Sequence, residues 1–252
     1  MVAASKSKTD AVAYRWQRFY PTLQTGHYLT VKSKQRRDDV PVFFAQGCMD
    51  GACCLHVFSA ALIIFDLAKH DALEDMSRRK YGLPAEVFSA FRHTFFEGIH
   101  AHDFVELVNN ELKLPLSLTL RQAADGGLDK WAVDNLMRGE LMAVTFASVK
   151  NRRTSHWALC TGCEGSASGR AIKPDTILLL DPSASEPSYS PFNARLRMSV
   201  SSPGNRRAPP NLPKPSEDGK RKPVHWLYEA AEWSAEEVRL LAAIRLQLKV
   251  AA

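Results

Sequence analysis

The sequence predicts an α+β fold in which a buried central helix packs on a mostly antiparallel sheet. Three observations carry that reading. Residues 52–69 are apolar nearly all round, with Val57, Phe58, Ala61, Leu62, Ile64, Phe65 and Ala68 leaving little polar face, as in a helix covered on most sides. Residues 71–114 are mostly helical in pattern, and a run of strand-like segments follows at 141–148, 156–162, 177–180 and 194–200. Helices first and strands afterwards is the order of an α+β fold rather than of alternating βαβ units.

The remaining elements follow from local chemistry. Residues 11–44 mix Tyr14, Trp16, Phe19, Tyr20 and Tyr28 with polar residues and two prolines, and read as an irregular strap with short strands. Breaks at Gly82-Leu83-Pro84 and at Gly98 divide the helical tract into helices at 72–80, 84–94 and 102–112. Pro115 ends the tract, and Leu116 to Leu120 alternate as a strand should. A helix at 129–138 stops before Gly139. Residues 201–223 are rich in Pro, Ser, Lys and Arg without apolar periodicity, the composition of a flexible basic loop. A strand is expected at 224–228. Ser234-Ala235-Glu236-Glu237 then reads as a capping box opening a helix at 235–248, with Leu241, Ile244 and Leu248 as its core stripe. The organisation is a strap at 1–40, a domain at 41–200, the loop at 201–223, and a strand and helix at 224–252 packing on the domain.

Composition narrows the function. A chain of 252 residues has room for one domain with extensions. Residues 55–67 form an apolar run too short for a membrane span. Residues 1–10 are polar and hold no apolar signal core. Five cysteines, an odd number, point to reduced thiols rather than a disulfide framework. Cytoplasmic synthesis is expected, with export by a machine that reads no N-terminal signal still compatible. Part of the +6 formal charge comes from tracts at 32–37 and 206–222 that lack interleaved aromatics, which argues against nucleic acid as a partner.

The chemistry gathers around one thiol. Gln46-Gly47-Cys48-Met49-Asp50-Gly51-Ala52-Cys53-Cys54 is a Gly-rich turn running into the apolar helix. A cysteine there meets the positive end of the helix dipole and the open amides of the first turn, a setting that favours the nucleophilic thiolate. Gln46 offers a side-chain amide to a developing oxyanion. Much later His156 opens one strand and Asp181 closes another. Imidazole is the base that takes a thiol proton and returns it to a leaving amine, and a carboxylate fixes its tautomer. His56, one turn along the same helix, reads as a packed helix residue. Zinc competes on ligand count, through Cys160-Thr161-Gly162-Cys163 and His156. A strand through those residues, however, sends Cys160 and Cys163 to opposite faces, so no metal or other cofactor is expected.

These contexts, a Q-G-x-x-D-G-A-C turn, an H-W strand and an L-x-D-P strand end, resemble papain-like cysteine peptidases, and among them the bacterial branch that includes the peptidase C39 domain. The resemblance spans residues 41–183. It implies a papain-like cysteine protease fold whose central helix carries the nucleophile, with Cys53 as nucleophile, His156 as base, Asp181 as orienting acid and Gln46 as oxyanion donor. Cys54 stands where such sequences often have glycine. Cys53 is favoured over it, because it follows Gly51-Ala52 as the motif's cysteine does. The implied activity is hydrolysis of a peptide or isopeptide bond in a peptide or protein substrate. Other acyl transfers on the same residues, namely deamidation, cross-linking or cleavage of a cell-wall amide, are alternatives, as is a catalytically silent binding module.

Overall fold

The computed structural model describes residues 13–33, 38–47, 51–151, 155–199 and 224–249. The basic loop predicted at 201–223, and Cys48 to Asp50 of the Gly-rich turn, lie outside them.

Six strands form a closed antiparallel barrel. They are β6 (Leu141–Ser148), β7 (His156–Ser168), β8 (Ala171–Leu180), β9 (Ala194–Met198), β10 (Trp226–Ala230) and β11 (Trp233–Leu248). Around the barrel the order is β7-β6-β11-β10-β9-β8, and β8 pairs back onto β7. Two further strands extend it: β1 (Ala13–Phe19) pairs with β7, and β5 (Leu116–Gln122) with β11. A separate small sheet holds β2 (Leu23–Thr25), β3 (Leu29–Lys32) and β4 (Asp39–Pro41). The helices are α1 (Cys53–Ile64), α2 (His70–Glu74), α3 (Leu83–Phe91), α4 (Thr94–Glu97), α5 (Ala101–Glu106) and α6 (Leu128–Arg138). Among the described residues no helix is long and apolar enough to cross a membrane.

This architecture corrects the expected papain-like α+β fold. The protein is mostly β, a closed six-stranded barrel plus two strands with few helices. The largest single error is at the C-terminus. The helix predicted at 235–248 is the long strand β11, which joins β6 to β10 and so completes the barrel. A bulge explains the misreading. The register shifts between Leu240 and Ala242, so Val238, Leu240 and Ala243 face the barrel interior while Ala242, Ile244 and Leu246 face outward. The extra residue converts a period of two into spacings of three, which imitate a helix.

Two cores result. One fills the barrel and is capped by α6, with Met142, Val144, Ala158, Leu179, Leu196 and Trp226 fully or almost fully buried. The other lies between the barrel's outer face and the helices. Here α1 packs against β7 and buries eleven of its twelve residues, His56 being the exception. Phe58 meets Phe91 and Phe104, each at 5.5 Å between ring centres, and Phe104 meets Trp157 edge-on at 5.1 Å. Strand β7 serves both cores, with Trp157 and Leu159 turned to α1 and Ala158 and Cys160 to the barrel.

A second bulge, between Cys160 and Gly162, overturns another expectation. It brings Cys163 into the barrel core beside Cys160 instead of sending the two to opposite faces. Glycine is required at 162, because a Cβ there would lie 2.1 Å from the Arg18 carbonyl oxygen of β1. Burial pushes the Cys163 thiol up to about 11 and Cys160 higher still. Among the described residues no group of three or more His, Cys, Asp or Glu is arranged to hold a metal ion.

Candidate active site

Helix α1 begins at Cys53, and its N-cap residue Ala52 makes no side-chain cap hydrogen bond; the first-turn N–H groups at such a helix start have no partner within the helix. The entry to the helix is tight. The Gly51 amide donates to the Phe95 carbonyl, and a Cβ at Gly51 would stand 3.0 Å from the Phe96 carbonyl oxygen. The two neighbouring thiols part ways at this point. Cys53 opens onto a cleft of about 990 Å³ shared with Gln46 and His156, whereas Cys54 is 1% exposed and turned into the core. Burial, and then the proximity of Cys53, holds the Cys54 thiol well above the ordinary thiol range.

His156 opens β7 at the same cleft, and Asp181 follows directly on the end of β8. Because these strands pair in register, with Leu159 opposite Leu180, the two strand ends meet. His156 Nε2 lies 2.7 Å from Asp181 Oδ1. Cys53 lies close enough to the same imidazole to act on its charge, and its Sγ donates to the Gly51 carbonyl at 3.8 Å. Burial disfavours the charged imidazole. The bond to Asp181, and then the interaction with Cys53, outweigh that and push His156 up to about 10. Asp181 is fully buried. Burial opposes its ionisation too, but His156, the Ser183 amide and the Tyr228 hydroxyl together hold it below the ordinary carboxylate value.

Gln46 is fastened to this pair from below. Its amide N–H donates to the Pro182 carbonyl at 2.7 Å, and its Oε1 accepts from Ser183 Oγ at 3.0 Å, which itself lies 3.5 Å from His156 Nε2. All four residues singled out by the sequence, Gln46, Cys53, His156 and Asp181, therefore lie together. His56 does not join them; it borders a small apolar gap among Phe44, Leu159, Leu180 and Pro182.

Sequence reasoning missed the residues that hold the set in place. Tyr228, on β10, donates to Asp181 Oδ2 at 2.8 Å. The Asn193 side chain clamps the Asp181 backbone, accepting from its N–H at 2.7 Å and donating to its carbonyl at 2.8 Å. Trp157 Nε1 donates to the Ile99 carbonyl at 3.2 Å and ties β7 to the far wall of the cleft. Ser183, which donates its amide to Asp181 Oδ1 at 2.8 Å, carried a weak signal as the residue after Asp-Pro. Tyr228 and Asn193 carried none, since their partners lie 47 and 12 residues away. No model of a known protein family matches the chain, and no curated protein matches it.

Proposed function

We propose that the protein is a thiol hydrolase that cleaves a peptide or isopeptide bond through Cys53, His156 and Asp181, with Gln46 as oxyanion donor. One observation carries this reading: a single imidazole, bonded to a buried carboxylate at 2.7 Å, lines the same large cleft as a cysteine that opens a helix and lies near enough to interact with it. In the reaction the Cys53 thiolate adds to the substrate carbonyl. The new oxyanion is met by Gln46 and the first-turn amides of α1. His156, as imidazolium, gives its proton to the leaving amine while the C–N electron pair departs with nitrogen. Water, deprotonated by His156, then releases the acyl group from sulfur. The chemistry needs no cofactor. The resemblance to papain-like cysteine peptidases supports this reading at the level of the site motifs, and the expected setting is the cytoplasm with a peptide or protein as substrate.

The test is a pair of measurements. An electrophilic thiol probe should modify Cys53 in the native protein, mapped by mass spectrometry, and His156→Ala should slow that modification strongly. A peptide library should be cleaved without release of ammonia; ammonia without cleavage would make the protein a deamidase, and an inert Cys53 would make it a binding module.

A further inference from the structure

A second cavity, of about 370 Å³, also borders the imidazole. His156 is the residue that lines both it and the main cleft. The rest of its lining comes from β6, β10 and β11 and the turn after Asp181, none of which lines the main cleft. Its walls are rings. Phe146 meets the His156 ring edge-on at 5.4 Å and Tyr228 at 5.2 Å, and Trp233 lies 6.5 Å beyond Tyr228. Among its polar groups the Tyr228 hydroxyl donates to Asp181, and one Glu236 oxygen accepts from Ser148. What this cavity offers a ligand is chiefly aromatic surface beside the Glu236 carboxylate, with Trp233 standing half exposed.

We infer that this cavity is the subsite for the leaving side of the scissile bond, and that it takes a large apolar or aromatic side chain on the first residue released. The inference rests on the hydrolase reading. During collapse of the tetrahedral adduct, the C–N bond breaks, its electron pair stays on nitrogen, the nitrogen takes the proton from His156, and the acyl carbon remains on sulfur as a thioester. The leaving nitrogen must therefore sit against the imidazole, and the side chain beside it lies where His156 borders this cavity. Burying an apolar side chain between Trp233 and Phe146 gains by removal of apolar surface and by ring contact, whereas an acidic side chain would lose water and face the Glu236 carboxylate.

Three measurements test it. Internally quenched peptides with the same acyl half and either Phe, Gly or Asp as first leaving residue should show kcat/KM for Phe at least about tenfold above the others. Trp233→Ala should erase that ratio and Trp233→Phe restore most of it, while the rate of Cys53 alkylation by iodoacetamide stays unchanged. Phenylalaninamide, but not glycinamide, should bind the resting wild-type protein in a Trp233-dependent way, by NMR titration. Cleavage that ignores the leaving residue, or favours Asp, or keeps its Phe preference in Trp233→Ala, overturns the subsite but leaves the hydrolase standing. Inert Cys53 with no cleavage overturns the hydrolase reading. In that case, absence of phenylalaninamide binding overturns the subsite as well, and Trp233-dependent binding keeps it as a ligand pocket.

Discussion

Asp181 concentrates the most consequence in one residue. It is a fully buried carboxylate whose acceptor positions are met by His156, Ser183 and Tyr228. Removing one donor leaves a buried lone pair unmet, a cost of about 1–3 kcal/mol. Tyr228→Phe should lower unfolding stability by about that amount, by denaturant titration, and should reduce turnover less than His156→Ala, because the imidazole keeps its bond to Oδ1. The His156 shift sets a pH dependence. Its folded value of about 10 lies above the ordinary 6.5, so between those values the folded protein holds a proton that the unfolded chain has lost. Stability should therefore fall as pH rises from about 6.5 through 10, and His156→Gln should flatten that slope. Asp181 works oppositely. Its lowered value stabilises above the ordinary carboxylate range, and that contribution is lost as pH falls through the folded value. At the neighbouring thiols, Cys53→Ala should abolish hydrolysis with the fold kept, whereas Cys54→Ala should keep activity. The reverse result would move the nucleophile by one position.

At the scale of elements, the site depends on how closely the loop before α1 approaches α4 and the Gly98 that follows it. Gly51 is the contact point, with the Phe96 carbonyl 3.0 Å from where a Cβ would be. Gly51→Ala should push the Phe95–Gly98 backbone outward, costing about 1–3 kcal/mol as overpacking does, and should lower kcat more than it raises KM, since first-turn amides and thiol move together. Helix α1 itself is held by burial rather than by caps or charge. It has neither a side-chain cap nor acidic residues in its first turn. Leu159 of β7 is fully buried against it. Leu159→Ala should therefore cost about 2–5 kcal/mol, and the cavity should loosen the distance between the Cys53 and His156 elements, seen as slower alkylation at temperatures where the protein remains folded.

The described residues form a barrel with α1 and its neighbouring helices laid against its wall, and the site lies on the seam. The proposed nucleophile comes from the helix, the proposed base and acid from the adjacent ends of β7 and β8, and the supporting hydroxyl from β10. These pieces are brought together by barrel closure. Most of their positions were legible beforehand: β6 matches its predicted bounds, α6 begins one residue early, and α1 begins within one residue of expectation. Of the four candidate residues, Cys53, His156 and Asp181 were legible at element boundaries, and Gln46 as the start of the Gly-rich turn before α1. The sequence by itself determined the apolar central helix, the strands rich in β-branched and aliphatic residues, and the order Gln46, Cys53, His156, Asp181. Only the tertiary structure decided that β11 is a strand, that Cys160 and Cys163 share a face, that Cys54 is the more deeply buried thiol, and that Tyr228 and Asn193 serve Asp181. The physical reason is the same in each case. Local periodicity records how a segment meets its neighbours on average, whereas a one-residue bulge or a hydrogen bond across 47 residues is set by pairing with a distant strand.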